Sequence, residues 1–263
     1  MRPTIAVSVA LGLLVPAAAC TTDSGTTTAT QKAASLFSTS VTELQIEIDY
    51  APNAAPYTGN EGPFGDPWDI LRINLDGLFA AAPKTFVVDD ALAKMDALDA
   101  APGGPDYDTS EILAIAQTGR SAVDHDAVRG FYVLFLDGYF EQDGVRQDQV
   151  LGVSLGTTGV LAMFKPVIES TGLLVRKRVE QTTLVHELGH AFGLVNNGLA
   201  LVDAAHQDGA HGAHCANPKC IMYWENMRGS SIAAYVAEQL GAASKVLFDE
   251  DCLDDAFAAS QAK

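Results

Sequence analysis

Two histidines separated by one helical turn constrain this sequence more than any other feature. They occur in the segment His186-Glu187-Leu188-Gly189-His190. Residues four apart lie on the same face of an α-helix, so the two imidazoles can reach a single metal ion. The surrounding stretch, 176–194, has apolar residues at helical spacing, and Gly193 is positioned to end the helix. The sequence therefore predicts a helix that carries a metal site.

The residue that follows the first of these histidines is a candidate catalytic base. A zinc ion held by imidazoles lowers the pKa of a bound water to about 7, and Glu187 can accept the proton that this water releases. Metalloproteases use the same H-E-x-x-H pattern. The pattern also occurs by chance on helices, but five of the six histidines of the chain fall between positions 186 and 214. This clustering favours a metal site.

Composition excludes several other classes of protein. The 263 residues are 48% hydrophobic and 19% charged, which is typical of a folded globular chain. A net charge of −17 repels nucleic acid and anionic surfaces, so no nucleic-acid partner is expected. Mean hydropathy is only +0.12, which excludes a polytopic membrane protein.

The N-terminus has the pattern of an export signal. Arg2 precedes an apolar run, 5–15, and three alanines at 17–19 lead directly to Cys20. This arrangement resembles a bacterial lipoprotein signal, which implies a signal peptide at 1–19 and a lipid anchor on Cys20. Residues 20–40 are then predicted to be a flexible Thr/Ser-rich linker. We expect a chain anchored to the bacterial cell envelope or surface by its lipid alone, or else released into the periplasm or medium.

Export also bears on the remaining cysteines. In an oxidising compartment nearby cysteines form disulfides, and Cys215 and Cys220 are separated by only four residues. We therefore predict a Cys215–Cys220 disulfide, which leaves Cys252 without a predicted disulfide partner. The alternative is that Cys215 and Cys220 bind a metal as thiolates.

Hydrophobic patterning predicts a chain of mixed α and β structure. The predicted strands are 42–50, 86–88, 130–140, 149–155 and 159–164. The predicted helices are 66–82, 109–118, 176–194 and 230–247. In the third of these helices the polar side chains are expected to face solvent: Arg176, Lys177, Arg178, Glu180 and Gln181.

The segment HELGHAFG, from His186 to Gly193, together with Met222-Tyr223 downstream, resembles the metzincin clan of zinc peptidases. The resemblance implies an α+β zincin fold with a twisted mixed sheet, an active-site helix and a C-terminal subdomain. It also implies a Zn²⁺ cofactor, and a Met-turn at Met222 beneath the metal. The catalytic domain would span 41–248, followed by an acidic C-terminal tail at 249–263.

The third zinc ligand departs from the clan pattern. The position that the pattern assigns to it is occupied by Asn196, whose amide is a poor zinc ligand. Among the later histidines, matrixin-like spacing selects His214, the archaemetzincin arrangement fits His211, and adamalysin-like spacing selects His206. We favour His206, because the apolar stretch before it can pack and hold it in position. His211 and His214 remain alternatives.

The resemblance implies a zinc-dependent endopeptidase that hydrolyses protein or peptide substrates, with zinc-activated water and Glu187 as general base. It also places the edge strand that pairs with an extended substrate at 159–164. A second hypothesis is a degenerate zincin that acts as a surface binding or metal-binding lipoprotein. As a binding protein it predicts weak or no zinc binding and no proteolysis. As a metal-buffering lipoprotein it predicts several weak metal sites that do not depend on Glu187.

Overall fold

The computed structural model describes residues 24–60, 65–99, 104–239 and 246–262. The predicted signal peptide and Cys20 lie outside the described residues. The strands are β1 (Glu43–Tyr50), β2 (Thr85–Val88), β3 (Asp96–Ala97), β4 (Asp106–Tyr107), β5 (Val128–Leu136), β6 (Tyr139–Gln142), β7 (Val145–Gln147), β8 (Gly152–Ser154) and β9 (Val160–Phe164). The helices are α1 (Ser24–Phe37), α2 (Asp69–Leu78), α3 (Thr109–Gly119), α4 (Lys165–Ser170), α5 (Arg176–Ala191), α6 (Gly229–Gln239) and α7 (Glu250–Gln261). Within these ranges, no helix is both long enough and apolar enough to cross a membrane.

A mixed sheet forms the centre of the fold, which confirms the predicted mixed α and β architecture. Its strand order is β2-β1-β5-β9-β8, with β3 paired to the end of β1. The first four of these strands are parallel, whereas β8 runs antiparallel to β9. A smaller sheet contains β4, β6 and β7. The central strand β5 is buried from Gly130 to Leu136, as expected for a parallel strand that is covered on both faces.

The edge of the main sheet differs from the sequence prediction. We expected 159–164 to be the edge strand, but β9 lies between β5 and β8. The chain reverses between β8 and β9 through a short 3-10 turn, Gly156–Thr158, after which Gly159 adopts a left-handed φ of 70°. β8 therefore pairs on the outer side of β9 and forms the edge.

Helix α5 packs against β8, β9 and α2, and also contacts α4 and α6. The prediction that its polar residues face solvent is wrong for Arg178, Glu180 and Gln181, all of which are buried. Burial of Glu180 is compensated because its carboxylate pairs with the Lys165 ammonium and accepts the Tyr57 N–H at 2.7 Å. The helix is thus an interior element.

The predicted linker at 20–40 contains a packed helix. The last turns of α1 bring Ala33, Leu36 and Phe37 into the hydrophobic core, and Phe37 is only 1% exposed. Its ring stacks on Phe79 with centroids 4.8 Å apart. These three apolar residues have helical spacing, so α1 belongs to the folded domain.

The predicted acidic tail at 249–263 is also a helix. Asp249 caps α7 by accepting the Cys252 N–H at 3.1 Å, and the buried face of the helix consists of Cys252, Asp255 and Ala256. α7 packs against α1 and α2. The two elements outside the predicted 41–248 domain therefore contact each other and complete the core.

Candidate functional site

Helix α5 brings the two histidines of the motif together. The Nε2 atoms of His186 and His190 are 3.1 Å apart. Two imidazole nitrogens that bind the same tetrahedral zinc ion at about 2.0–2.1 Å lie about 3.3 Å from each other. The observed separation fits a shared ion.

The third imidazole at this cluster belongs to His214. Its ring centroid lies 4.8 Å from that of His190 and 5.4 Å from that of His186. Candidate ligand atoms of the three histidines all lie within 4.8 Å of one another. Asn196 occupies the position of the third zinc ligand in the clan pattern. Its side-chain amide instead donates to Gln207 Oε1 at 3.0 Å. We refer to His186, His190 and His214 as the histidine cluster.

Backbone carbonyls orient two of these imidazoles. His186 Nδ1 lies 2.7 Å from the Ile221 carbonyl oxygen, and His214 Nδ1 lies 2.6 Å from the His211 carbonyl oxygen. Each Nδ1–H donates to its carbonyl, which leaves the Nε2 lone pair available to a metal. Burial lowers the pKa of His186 to about 3, with a further contribution from His214, and burial also lowers the pKa of His190. Burial lowers the pKa of His214 as well, so the cluster holds neutral imidazoles, the form that binds metal.

His206, the favoured third ligand in the sequence analysis, lies outside the histidine cluster. It is 1% exposed, as its apolar flank suggested, but its ring packs against α7. His206 Nδ1 lies 2.8 Å from Asp255 Oδ2, and His206 Nε2 lies 3.3 Å from Cys252 Sγ. Burial opposes protonation of His206, but hydrogen bonds to Asp255 and Cys215 outweigh it and raise the pKa to about 10.

His211, the other alternative, is exposed. Its ring stacks on Trp224 with centroids 4.0 Å apart, and its Nδ1 lies 2.7 Å from Asp208 Oδ2. Its contribution to the histidine cluster is the backbone carbonyl that His214 contacts.

Glu187 is buried beside the histidine cluster at 1% exposure. Burial raises its pKa to about 8, and the backbone N–H of Ser154 opposes this by donating to the carboxylate. Among the described residues, Oε1 of Glu187 has no hydrogen-bond partner. A cation held by the neighbouring imidazoles would favour the ionised carboxylate. One oxygen of Glu187, the residue next to His186 in sequence, is thus free to accept a proton.

Met222 packs against the middle of α5. A Cβ added to Gly189 would lie 2.4 Å from Met222 Sδ, so only glycine permits this contact. Met222 itself is fully buried. The backbone of Met222 is hydrogen-bonded to the residue that follows His214, because Cys215 N donates to the Met222 carbonyl at 2.9 Å.

The predicted Cys215–Cys220 disulfide is not present. Cys215, Cys220 and Cys252 are free and buried. Cys220 Sγ lies 3.6 Å from Cys252 Sγ, while Cys215 Sγ contacts Asp249 Oδ2 at 3.2 Å. The sequence analysis did not anticipate that α7, which was expected to be a tail, brings Cys252 close to Cys220.

Comparisons with known proteins add little to this geometry. No protein family profile matches the sequence, and no curated protein matches it significantly. Among solved structures, the chain is similar to an archaemetzincin from Methanopyrus kandleri, with 13% sequence identity and a TM-score of 0.43. The match covers 84% of this chain and 96% of that one.

Proposed function

We propose that this protein is a zinc-dependent endopeptidase whose metal ligands are His186, His190 and His214. The observation that carries the proposal is the convergence of three neutral imidazoles beside a buried carboxylate with a free oxygen. A zinc ion bound there would supply Lewis acidity and lower the pKa of a coordinated water to about 7.

The residues of the chain then have separate tasks. Glu187 accepts a proton from the attacking water and passes it to the leaving amine. The Ser154 N–H orients the Glu187 carboxylate. The carbonyls of Ile221 and His211 hold the imidazoles of His186 and His214 in the orientation that binds metal.

Strand β8 is the proposed binding edge for an extended peptide. It is the last strand of the main sheet, and it pairs only with β9 among the described strands. Gly152 and Ser154 of β8 both lie against Glu187. A substrate that adds a strand to this edge would therefore run past the catalytic base.

We also retain export and lipidation of Cys20 as proposals. Because α1 begins at Ser24, only three residues separate the proposed anchor from the folded domain. A lipid on Cys20 would therefore hold the domain directly at the membrane surface rather than on a long tether.

The test is cleavage of casein by the purified full chain, with metal content measured on the same samples. Glu187→Gln should reduce the cleavage rate by about 10²–10⁴-fold with zinc retained. Glu238→Gln, an exposed change on α6, is the matched control and should behave as wild type. Bound zinc without cleavage by wild type would instead support the binding-protein hypothesis, and full activity of Glu187→Gln would overturn the proposed mechanism.

A further inference from the structure

We propose that the folded domain docks on an anionic lipid bilayer through the loop between α4 and α5, which inserts Leu173 and Leu174 among the lipid headgroups. We call the segment Gly172-Leu173-Leu174-Val175 the leucine loop. The proposal goes beyond the proposed peptidase function and does not depend on it. It also requires no lipid on Cys20.

The leucine loop holds two large apolar side chains in solvent. Leu174 is 93% exposed and Leu173 is 76% exposed, the two highest values among the large hydrophobic residues that the structure describes. Val175 N donates to the Gly172 carbonyl at 3.2 Å, so the two leucines are the central residues of a closed turn. Gly172 starts this turn with a left-handed φ of 104°. Turns of this kind usually carry small or polar residues at their tips.

The shape of the leucine loop fits a bilayer better than a folded protein partner. A stable protein interface is a broad surface that buries about 800 Å² on each partner. The leucine loop instead presents two adjacent side chains at the tip of one turn. Such a tip can enter the boundary between headgroups and acyl chains without a matching pocket.

Cations flank the leucine loop although the chain as a whole is acidic. Residues 165–180 contain four basic and two acidic residues, whereas the net charge of the whole chain is −17. Arg176 and Lys177 directly follow the loop, and their cationic groups lie 5.1 Å and 5.9 Å from the centroid of the Tyr57 ring. Basic side chains beside inserted apolar residues bind anionic headgroups. The local charge therefore complements a surface that the net charge would repel.

The same cations are unfavourable for α5 itself. The N-terminus of a helix carries partial positive charge, which favours acidic side chains in the first turn. Helix α5 has no acidic residue there and begins with three basic ones, and its N-cap residue Val175 makes no side-chain cap hydrogen bond. The basic first turn and the exposed leucines therefore both break rules that stabilise a fold, as residues at functional sites do. Anionic headgroups at this end of the helix would offset the repulsion.

The test is sedimentation of residues 21–263 with vesicles made of equal parts phosphatidylcholine and phosphatidylglycerol. This chain keeps every described element and lacks both the apolar run 5–15 and Cys20. Wild type should bind the vesicles, and Leu173→Asn/Leu174→Asn should lower the partition coefficient by at least about tenfold. The matched control is Val145→Asn/Val202→Asn, because these valines are 61% and 60% exposed elsewhere, and it should bind as wild type.

The contribution of charge is tested with the same vesicles. Arg176→Gln/Lys177→Gln should lower the partition coefficient by at least about fivefold and reduce its dependence on salt. The midpoint of urea unfolding should be unchanged in the leucine variant, because both side chains are exposed. Weaker binding of that variant is then not a consequence of unfolding.

Other outcomes would overturn the inference. Absence of wild-type binding to the anionic vesicles would exclude docking on a bilayer. If the leucine variant binds as tightly as the valine control, the leucine loop is not the docking element. Equally tight binding of wild type to phosphatidylcholine alone would overturn the role of the cations. A wild-type dimer that the leucine variant loses would assign the loop to contact with a second copy of the chain. Casein cleavage does not enter these measurements, so the two proposals fail separately.

Discussion

His214 and Cys215 are adjacent in sequence, but the His214 side chain lies in the histidine cluster whereas the Cys215 side chain lies close to Cys220. The His214 ring lies 4.8 Å from that of His190, whereas Cys215 Sγ contacts Asp249 Oδ2 at 3.2 Å. The backbone between them is held by bridges from Cys215 to Gln207 on one side and to Tyr223 on the other. A local change at Cys215 should therefore alter the position of the His214 imidazole.

Removal of the α1 anchor should destabilise the whole domain. Phe37 is buried against Phe79, so Phe37→Ala should lower the free energy of unfolding by about 3–5 kcal/mol. Phe257, on α7, is 56% exposed, and Phe257→Ala should change the free energy of unfolding by less than about 0.5 kcal/mol. Urea unfolding of both variants tests this. Equal stabilities would show that 24–37 behaves as the linker that its sequence suggested.

A methyl group at Gly152 should displace Glu187, the proposed catalytic base. The added Cβ would lie 3.0 Å from Glu187 Cγ and 3.1 Å from Met163 Sδ. Gly152→Ala should lower the turnover of casein by about tenfold or more while zinc content is unchanged. Gly209→Ala, where a Cβ meets no heavy atom within 4 Å, is the control. Unchanged turnover in Gly152→Ala would argue against this position of Glu187.

Stability should depend on pH through Asp49. Its carboxyl is buried and accepts the Tyr132 hydroxyl at 2.6 Å, and burial raises its pKa from 3.8 to about 6 although that hydrogen bond opposes the shift. The folded chain thus binds this proton more tightly than the unfolded chain. The associated stabilisation is complete below about pH 4 and is lost as pH rises through about 6.

Asp49→Asn should remove this dependence. The free energy of unfolding of wild type, relative to the variant, should fall by on the order of 1–3 kcal/mol between pH 4 and pH 7. Asp76→Asn, an exposed change on α2, should give a curve parallel to wild type. If the free energy of unfolding of Asp49→Asn depends on pH in the same way as that of wild type, Asp49 is not the group responsible for the pH dependence.

The buried pair of Lys165 and Glu180 should be sensitive to removal of one partner. The two side chains are 4% and 0% exposed, and the Lys165 ammonium also lies 3.4 Å from the centroid of the Tyr57 ring. Lys165→Met should lower the free energy of unfolding by about 3–5 kcal/mol, because it leaves the Glu180 carboxylate buried without its counter-charge, with only the Tyr57 N–H donating to it. The double variant Lys165→Met/Glu180→Leu should recover most of this loss. Thermal unfolding that finds the double variant as unstable as the single one would contradict the argument.

Local sequence patterns predicted the elements that have a clear apolar run or a clear helical spacing within their own residues. The apolar run of β5 and the helical spacing of α5 were both recognisable in the sequence. The helix α7 was not, because its first turns are acidic and its stability depends on packing against α1 and α2. Contacts between distant segments override local composition in such cases.

The same distinction applies to the candidate site. His186, Glu187 and His190 share one helical turn, so their proximity followed from spacing. The choice between His206 and His214 depends on how 207–215 folds back, and His206 finds its partner Asp255 in a helix 49 residues further along the chain. Spacing within the segment pointed to all three later histidines under different rules, His214 among them, so spacing alone could not decide between them.

The most direct test of the central claim compares His214→Ala with His206→Ala in one experiment. Zinc content and casein cleavage are measured for both variants in the presence of a weak chelator. The histidine cluster predicts that His214→Ala loses one zinc ion and cleavage, whereas His206→Ala keeps measurable cleavage when zinc is restored in excess. Loss of cleavage in His206→Ala that zinc does not restore, with full cleavage in His214→Ala, would contradict the assignment of His214 as the third ligand.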